Sequence, residues 1–178
     1  MNKKMIEDYK ERFKEIFENY PKVKEYLSVG NLDKCYDEIG TNLHRCVFTA
    51  FLLEAGINPI NHITKIWWGM YSHISALGVI LGNFVIPDHI TSIENFSFDN
   101  DYTLTKLKVG KGVTEIDPQA FRGCIHLEKV ELPKHLKGYV WKGNPSQSMF
   151  AGSSRYTIED IFGAPLGAGL PAPEIIYY

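Results

Sequence analysis

The sequence predicts an α+β protein in which a helical N-terminal domain, residues 1–80, caps a short solenoid of about three turns, residues 81–178. Three observations carry this. A motif is written twice between Phe84 and Leu136: Ile90-Thr91-Ser92-Ile93 returns as Val113-Thr114-Glu115-Ile116, and Phe98, Leu104 and Leu107 return as Phe121, Leu127 and Val130. Every pair is 23 residues apart, a period at which each unit carries an apolar face that only a stacked neighbour can cover. Before residue 80 the apolar residues fall instead in steps of three and four, which is helical. At the far end Glu174-Ile175-Ile176-Tyr177-Tyr178 reads as a strand that closes the open edge of the solenoid.

Ile6, Tyr9, Phe13, Ile16, Phe17 and Tyr20 lie on one face of a helix, with charge on the other, and Pro21 ends it because it lacks an amide donor. That polar face mixes Glu with Lys, so anionic lipid gains little from it and the apolar face belongs to the core. A short helix over 22–28 precedes the turn at Gly30-Asn31, and a weaker one spans 33–39. Thr41 is placed to cap a strong helix over 42–55, with Leu43, Cys46, Val47, Ala50 and Phe51 as its buried stripe and Gly56 as its left-handed stop. Asn58-Pro59 opens another short helix, whose inner face is Ile60, Ile63, Ile66 and Trp67. Trp67-Trp68 reads as a plug over the open end of the solenoid.

The repeat unit begins with an extended stretch, such as Leu107-Lys108-Val109, where apolar and polar residues alternate as in a half-buried strand. Its outward positions form two columns, Asn83, Lys106 and Lys129 in one, and Val85, Lys108 and Glu131 in the other. An apolar pair follows, then a tight turn around a buried aromatic. Phe150-Ala151-Gly152-Ser153 echoes Phe121-Arg122-Gly123-Cys124, so a third, irregular turn is expected with an inserted loop from Trp141 to Ser148. Gly163 to Pro173 is low in complexity and unfit for helix or central strand.

Composition narrows the function. The 19 basic and 21 acidic residues give a net charge of −2 and divide evenly along the chain, so neither half offers nucleic acid a basic surface. No run reaches the roughly 20 apolar residues that span a bilayer. Three cysteines without paired spacing read as free thiols of a cytoplasmic protein. Cys46 lies on an apolar stripe, where burial keeps a thiol inert. His62 and His73 lack the spacing of a metal site, and neither metal nor cofactor is expected. Asp99-Asn100-Asp101 opens like a calcium loop, but Leu104 and Gly110 stand where its glycine and bidentate acid belong, so a solvated turn is expected.

The stretch from Val113 to Pro133 (Val-Thr-Glu-Ile-Asp-Pro-Gln-Ala-Phe-Arg-Gly-Cys-Ile-His-Leu-Glu-Lys-Val-Glu-Leu-Pro) resembles the BspA-type leucine-rich repeat. The preceding unit departs from it at Ser97 and at Asp99-Asn100-Asp101. The resemblance covers about 55 residues; it implies a solenoid scaffold for protein recognition and makes Cys124 a core thiol. The helical leader with Leu53-Glu-Ala-Gly-Ile-Asn-Pro59 is also similar to small phage-encoded repeat proteins, which implies a phage accessory protein working in the host cytoplasm.

The expectation is therefore a non-enzymatic module that binds a protein through Lys106, Lys108, Lys129 and Glu131 on the strand face, or through Trp141 in the inserted loop. Two alternatives stay open: a structural subunit that self-assembles as a homo-oligomer, and an enzyme using Cys35, His44, His62 or His73 in the helical domain.

Overall fold

The computed structural model describes residues 3–141, 156–162 and 172–178. Four helices come first: α1 (Lys3–Asn19), α2 (Lys22–Ser28), α3 (Leu32–Glu38) and α4 (Asn42–Glu54). Their ends follow local chemistry. The Asn31 side chain accepts from the Lys34 amide and the Thr41 side chain from the His44 amide. After α4, Gly56 takes φ +79° and donates to Leu53 O, while Ile57 donates to Leu52 O. That pairing satisfies the carbonyls a helix end leaves open, and it favours a residue without a Cβ.

Helix α4 is the central one. Arg45 through Ala50 are all buried, whereas Leu43, placed on the buried stripe by spacing, is 47% exposed. The spacing misses this because α4 is enclosed on several sides along its middle, whereas its two ends are more exposed. Phe13 of α1 stacks on Phe51 with ring centroids 3.5 Å apart. Polar groups also enter this interior. The Tyr36 and Thr49 hydroxyls pair at 2.7 Å. The Arg45 Nε–H is shared by the Tyr36 and Ile39 carbonyls, and its Nη1 donates to Trp68 O at 3.1 Å.

The remainder coils. Strands β1 (Gly82–Val85), β3 (Leu104–Lys108), β5 (Lys129–Leu132) and β8 (Glu174–Tyr177) form one parallel sheet in that order. The short strands β2 (Ser92–Ile93) and β4 (Glu115–Ile116) pair in parallel on a second side of the coil. Leu107 lies opposite Val130, as the 23-residue period requires, and Ile175 of the closing strand continues the row. Strands β6 (Val140–Trp141) and β7 (Tyr156–Thr157) pair antiparallel, and a short helix, α5 (Ile158–Phe162), follows.

The coil starts earlier than the period reveals. Thr91 donates to Thr64 O just as Thr114 donates to Thr91 O, and Ile66 bridges Ile93 in parallel. Tyr71 donates to Ser97 O as Phe98 does to Ala120 O, and His73 to Asp99 O as Asn100 does to Arg122 O. The same corner residue is left-handed in each turn: His73 (φ 53°), Asn100 (φ 53°) and Gly123 (φ 72°). Trp67 and Trp68 thus belong to a turn of the coil and do not form a plug laid over it. The spacing from Tyr71 to Phe98 is 27 residues, so the constant period does not detect this turn.

A column of aromatic rings fills the coil. Tyr71, Phe98 and Phe121 stack with centroids 5.0 Å apart, and Phe162 follows Phe121 at 5.0 Å. The rung beyond Phe121 is therefore Phe162; the segment Phe150–Ser153, expected there from its sequence echo, lies outside the described residues. Ile158, Ile161 and Phe162 are buried. Most of the Gly163–Pro173 stretch also lies outside the described residues.

Turns lie close together at Gly112, where an added Cβ would strike the Asp88 carbonyl oxygen and stand 2.9 Å from that of Ile90. Neither carbonyl can move without shifting its turn. Gly112→Ala is expected to cost about 1–3 kcal/mol, lowering the midpoint of thermal unfolding by about 2–12 °C. A calorimetric midpoint equal to wild type would show that the turns slide freely.

Candidate functional site

The outward face of the four-stranded sheet carries two rows in register. One runs Asn83, Lys106, Lys129, Glu174, and the other Val85, Lys108, Glu131, Ile176. The sequence-predicted Lys106, Lys108, Lys129 and Glu131 are thus brought together; the contributions of Glu174 and Ile176 were missed. Alternation in Glu174-Ile175-Ile176-Tyr177 was the signal that would have placed them, because period two fixes which residues point outward.

Lys106 and Lys129 are direct neighbours on adjacent strands, an arrangement that like charges disfavour. Glu131 relieves it on one side only. Its carboxylate accepts from Lys129 Nζ at 2.9 Å and lies 4.0 Å from Lys108 Nζ. That hydrogen bond raises the Lys129 pKa and lowers that of Glu131. Both groups stand in solvent, so the pair contributes little to stability and weakens with salt. Lys108 Nζ sits 4.8 Å from the centroid of Tyr178, whose hydroxyl donates to Val109 O at 2.7 Å. Lys106 is exposed and has no ion pair among the described residues. A shallow groove of about 200 Å³ crosses the face, lined by Asn83, Val85, Lys106, Lys108, Lys129 and Glu131 with Phe84 and Leu107 between them. Trp141 pairs through its backbone with Tyr156, and the loop that follows it lies outside the described residues.

The residues of the enzyme alternative are not gathered. Cys35 is buried and faces Val23 O at 3.8 Å, with burial pushing its pKa up to about 12. Cys46 is buried and its pKa is pushed up to about 11, again by burial. Such thiols hold almost no thiolate near neutral pH and make poor nucleophiles. Burial likewise raises the Cys124 pKa, and that thiol donates to Phe98 O at 3.1 Å inside the repeat core. His44 meets Tyr20 Oη at 3.3 Å and Glu15 at 3.9 Å, on the side facing α1. His73 meets Ser72 at 2.9 Å, and His62 is exposed. Among the described residues no hydrogen bond joins Cys35, His44, His62 or His73 to another of the four.

Two aspartates differ from the solvated turn expected of them. Asp99 is buried and held bidentate by Arg122, at 2.6 and 3.0 Å. Asp101 is buried and accepts from the Thr103 and Leu104 amides. Stacking of turns encloses the corner and brings Arg122 over from the next turn, which no single unit of sequence displays. No group of three metal-ligating side chains occurs among the described residues.

Sequence reasoning also missed what seats the helices on the coil. The Asp33 carboxylate accepts from the Thr64 amide at 3.0 Å and hydroxyl at 2.8 Å, and from Trp67 Nε1 at 2.9 Å. It takes the place of a preceding turn's carbonyl at the open end of the ladder. Glu94 accepts from the Trp68 amide at 2.9 Å and from Lys65 Nζ.

Comparison with known proteins agrees with the coil. Residues 78–156 match the family model described as the BspA type leucine rich repeat region. No curated protein and no solved structure matches the chain. The match gives no support to a phage origin. Among the described residues no helix is long and apolar enough to cross a membrane. Helices over 11–54 thus precede a parallel-strand solenoid, and residues 78–156 of this chain are BspA-type leucine-rich repeats.

Proposed function

We propose that the protein is a non-enzymatic binding module that engages another protein through the outward face of its four-stranded sheet. The observation that carries this reading is Lys106, an exposed cation without an ion pair among the described residues, set in register between Asn83 and Lys129 on the outward face. Val85 and Ile176, exposed at the two ends of the neighbouring row, add an apolar handle to this polar one. Solenoids present such extended surfaces to their partners. The buried thiols favour this reading over a thiol enzyme.

The test is capture from the natural cell lysate, comparing wild type with Lys106→Glu/Lys108→Glu/Lys129→Glu. A stoichiometric protein retained by wild type and lost by the variant is the expected result. The same protein held equally by both would remove the sheet face as the site.

A further inference from the structure

The sheet face has an apolar border at the entry to its strands. Ile80, Tyr102 and Ile125 are 80%, 49% and 40% exposed. They occupy one repeat position in three successive turns. The ladder shifts by one residue between Gly82 and Asn83, so that Gly82 pairs with Leu104 and Ile80 corresponds to Tyr102 at 22 residues, while the pairing of Lys106 with Lys129 makes Tyr102 correspond to Ile125 at 23. Single exposed apolar residues are ordinary, but a row of them is a patch.

This row precedes the row Asn83, Lys106, Lys129, Glu174: Tyr102 and Ile125 stand four residues upstream of Lys106 and Lys129, in the bend and the turn that lead into β3 and β5. Four residues of chain span no more than about 13 Å even when fully extended, so the two rows lie within about the 10–12 Å diameter of a helix with its side chains. Along the solenoid axis the strands repeat every ~4.8 Å, and two such steps nearly equal the ~10.5 Å rise of seven helical residues. An extended peptide laid the same way presents one face only every ~6.6 Å and falls out of step. Charge adds direction. Lys106 has no ion pair among the described residues, whereas Lys129 is paired with Glu131 and the far end of the row is Glu174.

We propose that this band docks an amphipathic helix of a partner protein lying across the strands. Its apolar side chains sit on Ile80, Tyr102 and Ile125, an acidic side chain meets Lys106, and a basic one seven positions away meets Glu174. The inference rests on the reading of the sheet face as a protein-binding surface and specifies the form of what it binds.

The probe is a fluorescein-labelled synthetic helix of about 18 residues, with Leu on one stripe and Glu and Lys seven apart on its flank. Saturable anisotropy is expected with wild type, weakened about tenfold or more by Ile80→Ser/Tyr102→Ser/Ile125→Ser. Lys106→Glu is expected to weaken binding too, and a peptide with Lys in place of that Glu is expected to restore it. No binding at about 1 mM peptide, or binding indifferent to these changes, would overturn the proposal. A proline-interrupted peptide that binds equally well overturns the helix alone, because the capture experiment reads the sheet face without any helix. Each substituted residue is exposed, and an unchanged circular dichroism spectrum excludes unfolding as the cause.

Discussion

Phe98→Ala is expected to destabilise the protein by about 3–5 kcal/mol, read as a shift in the urea midpoint at constant slope. Phe98 is fully buried and holds the aromatic column together. Tyr71 and Phe121 stack on its two faces, each with a centroid separation of 5.0 Å, and Phe84 meets it edge-on at 5.4 Å. Removing the ring opens a void between two turns that the backbone ladder holds at fixed spacing. The hydrogen bonds Tyr71 N to Ser97 O and Phe98 N to Ala120 O lie at its edge, so collapse into the void would strain both. Relaxation is therefore small, and the cost belongs at the high end of core truncations. Phe98→Leu keeps most of the volume and loses only the ring stacking, and it is expected to cost about 1–2 kcal/mol. Equal effects of the two substitutions would show that ring geometry, and not filled volume, matters at this rung.

Arg45→Ala is expected to cost a similar amount, about 3–5 kcal/mol, for a different reason. Arg45 is buried and directs its donors at backbone carbonyls of Tyr36, Ile39 and Trp68. Its guanidinium carbon also lies 5.5 Å from the Trp67 ring centroid and 5.7 Å from that of Trp68. Truncation leaves acceptors of α3 and of the loop before α4 without a donor in the interior, and that of the first turn without one at its partly buried edge. Arg45→Lys keeps the charge but cannot place one nitrogen between Tyr36 O and Ile39 O while another reaches Trp68 O. It is expected to recover less than half of the loss. Thermal unfolding followed by tryptophan fluorescence reports it directly, since Trp67 and Trp68 flank the site. Full recovery by lysine would mean that the charge alone holds the junction.

The difference between these two residues marks how much the sequence showed. Phe98 was legible because its partner Phe121 stands one period away in the same motif. Arg45 was hidden because its acceptors are backbone carbonyls, which leave no trace in residue identity. Trp67-Trp68 was legible as material of the junction but not as part of a turn.

The sequence by itself determined the helix ends at Thr41 and Gly56 and the cap at Asn58, since each depends on local chemistry within four residues. The helix expected after Asn58-Pro59 is only the 3-10 turn Pro59–Asn61, because Ile66 is drawn into the ladder beside Ile93. The sequence determined the first three members of each row of the sheet face as well, because a constant period carries the register of one turn into the next; Glu174 and Ile176 lie beyond that period. Only the tertiary structure decided the early turn from Thr64 to Tyr71, the choice of Phe162 as the last aromatic rung, and the burial of Asp99 by Arg122. Insertions shift the phase of the repeat at both ends, and a shifted phase is recovered only when backbone hydrogen bonds between turns fix which residues meet.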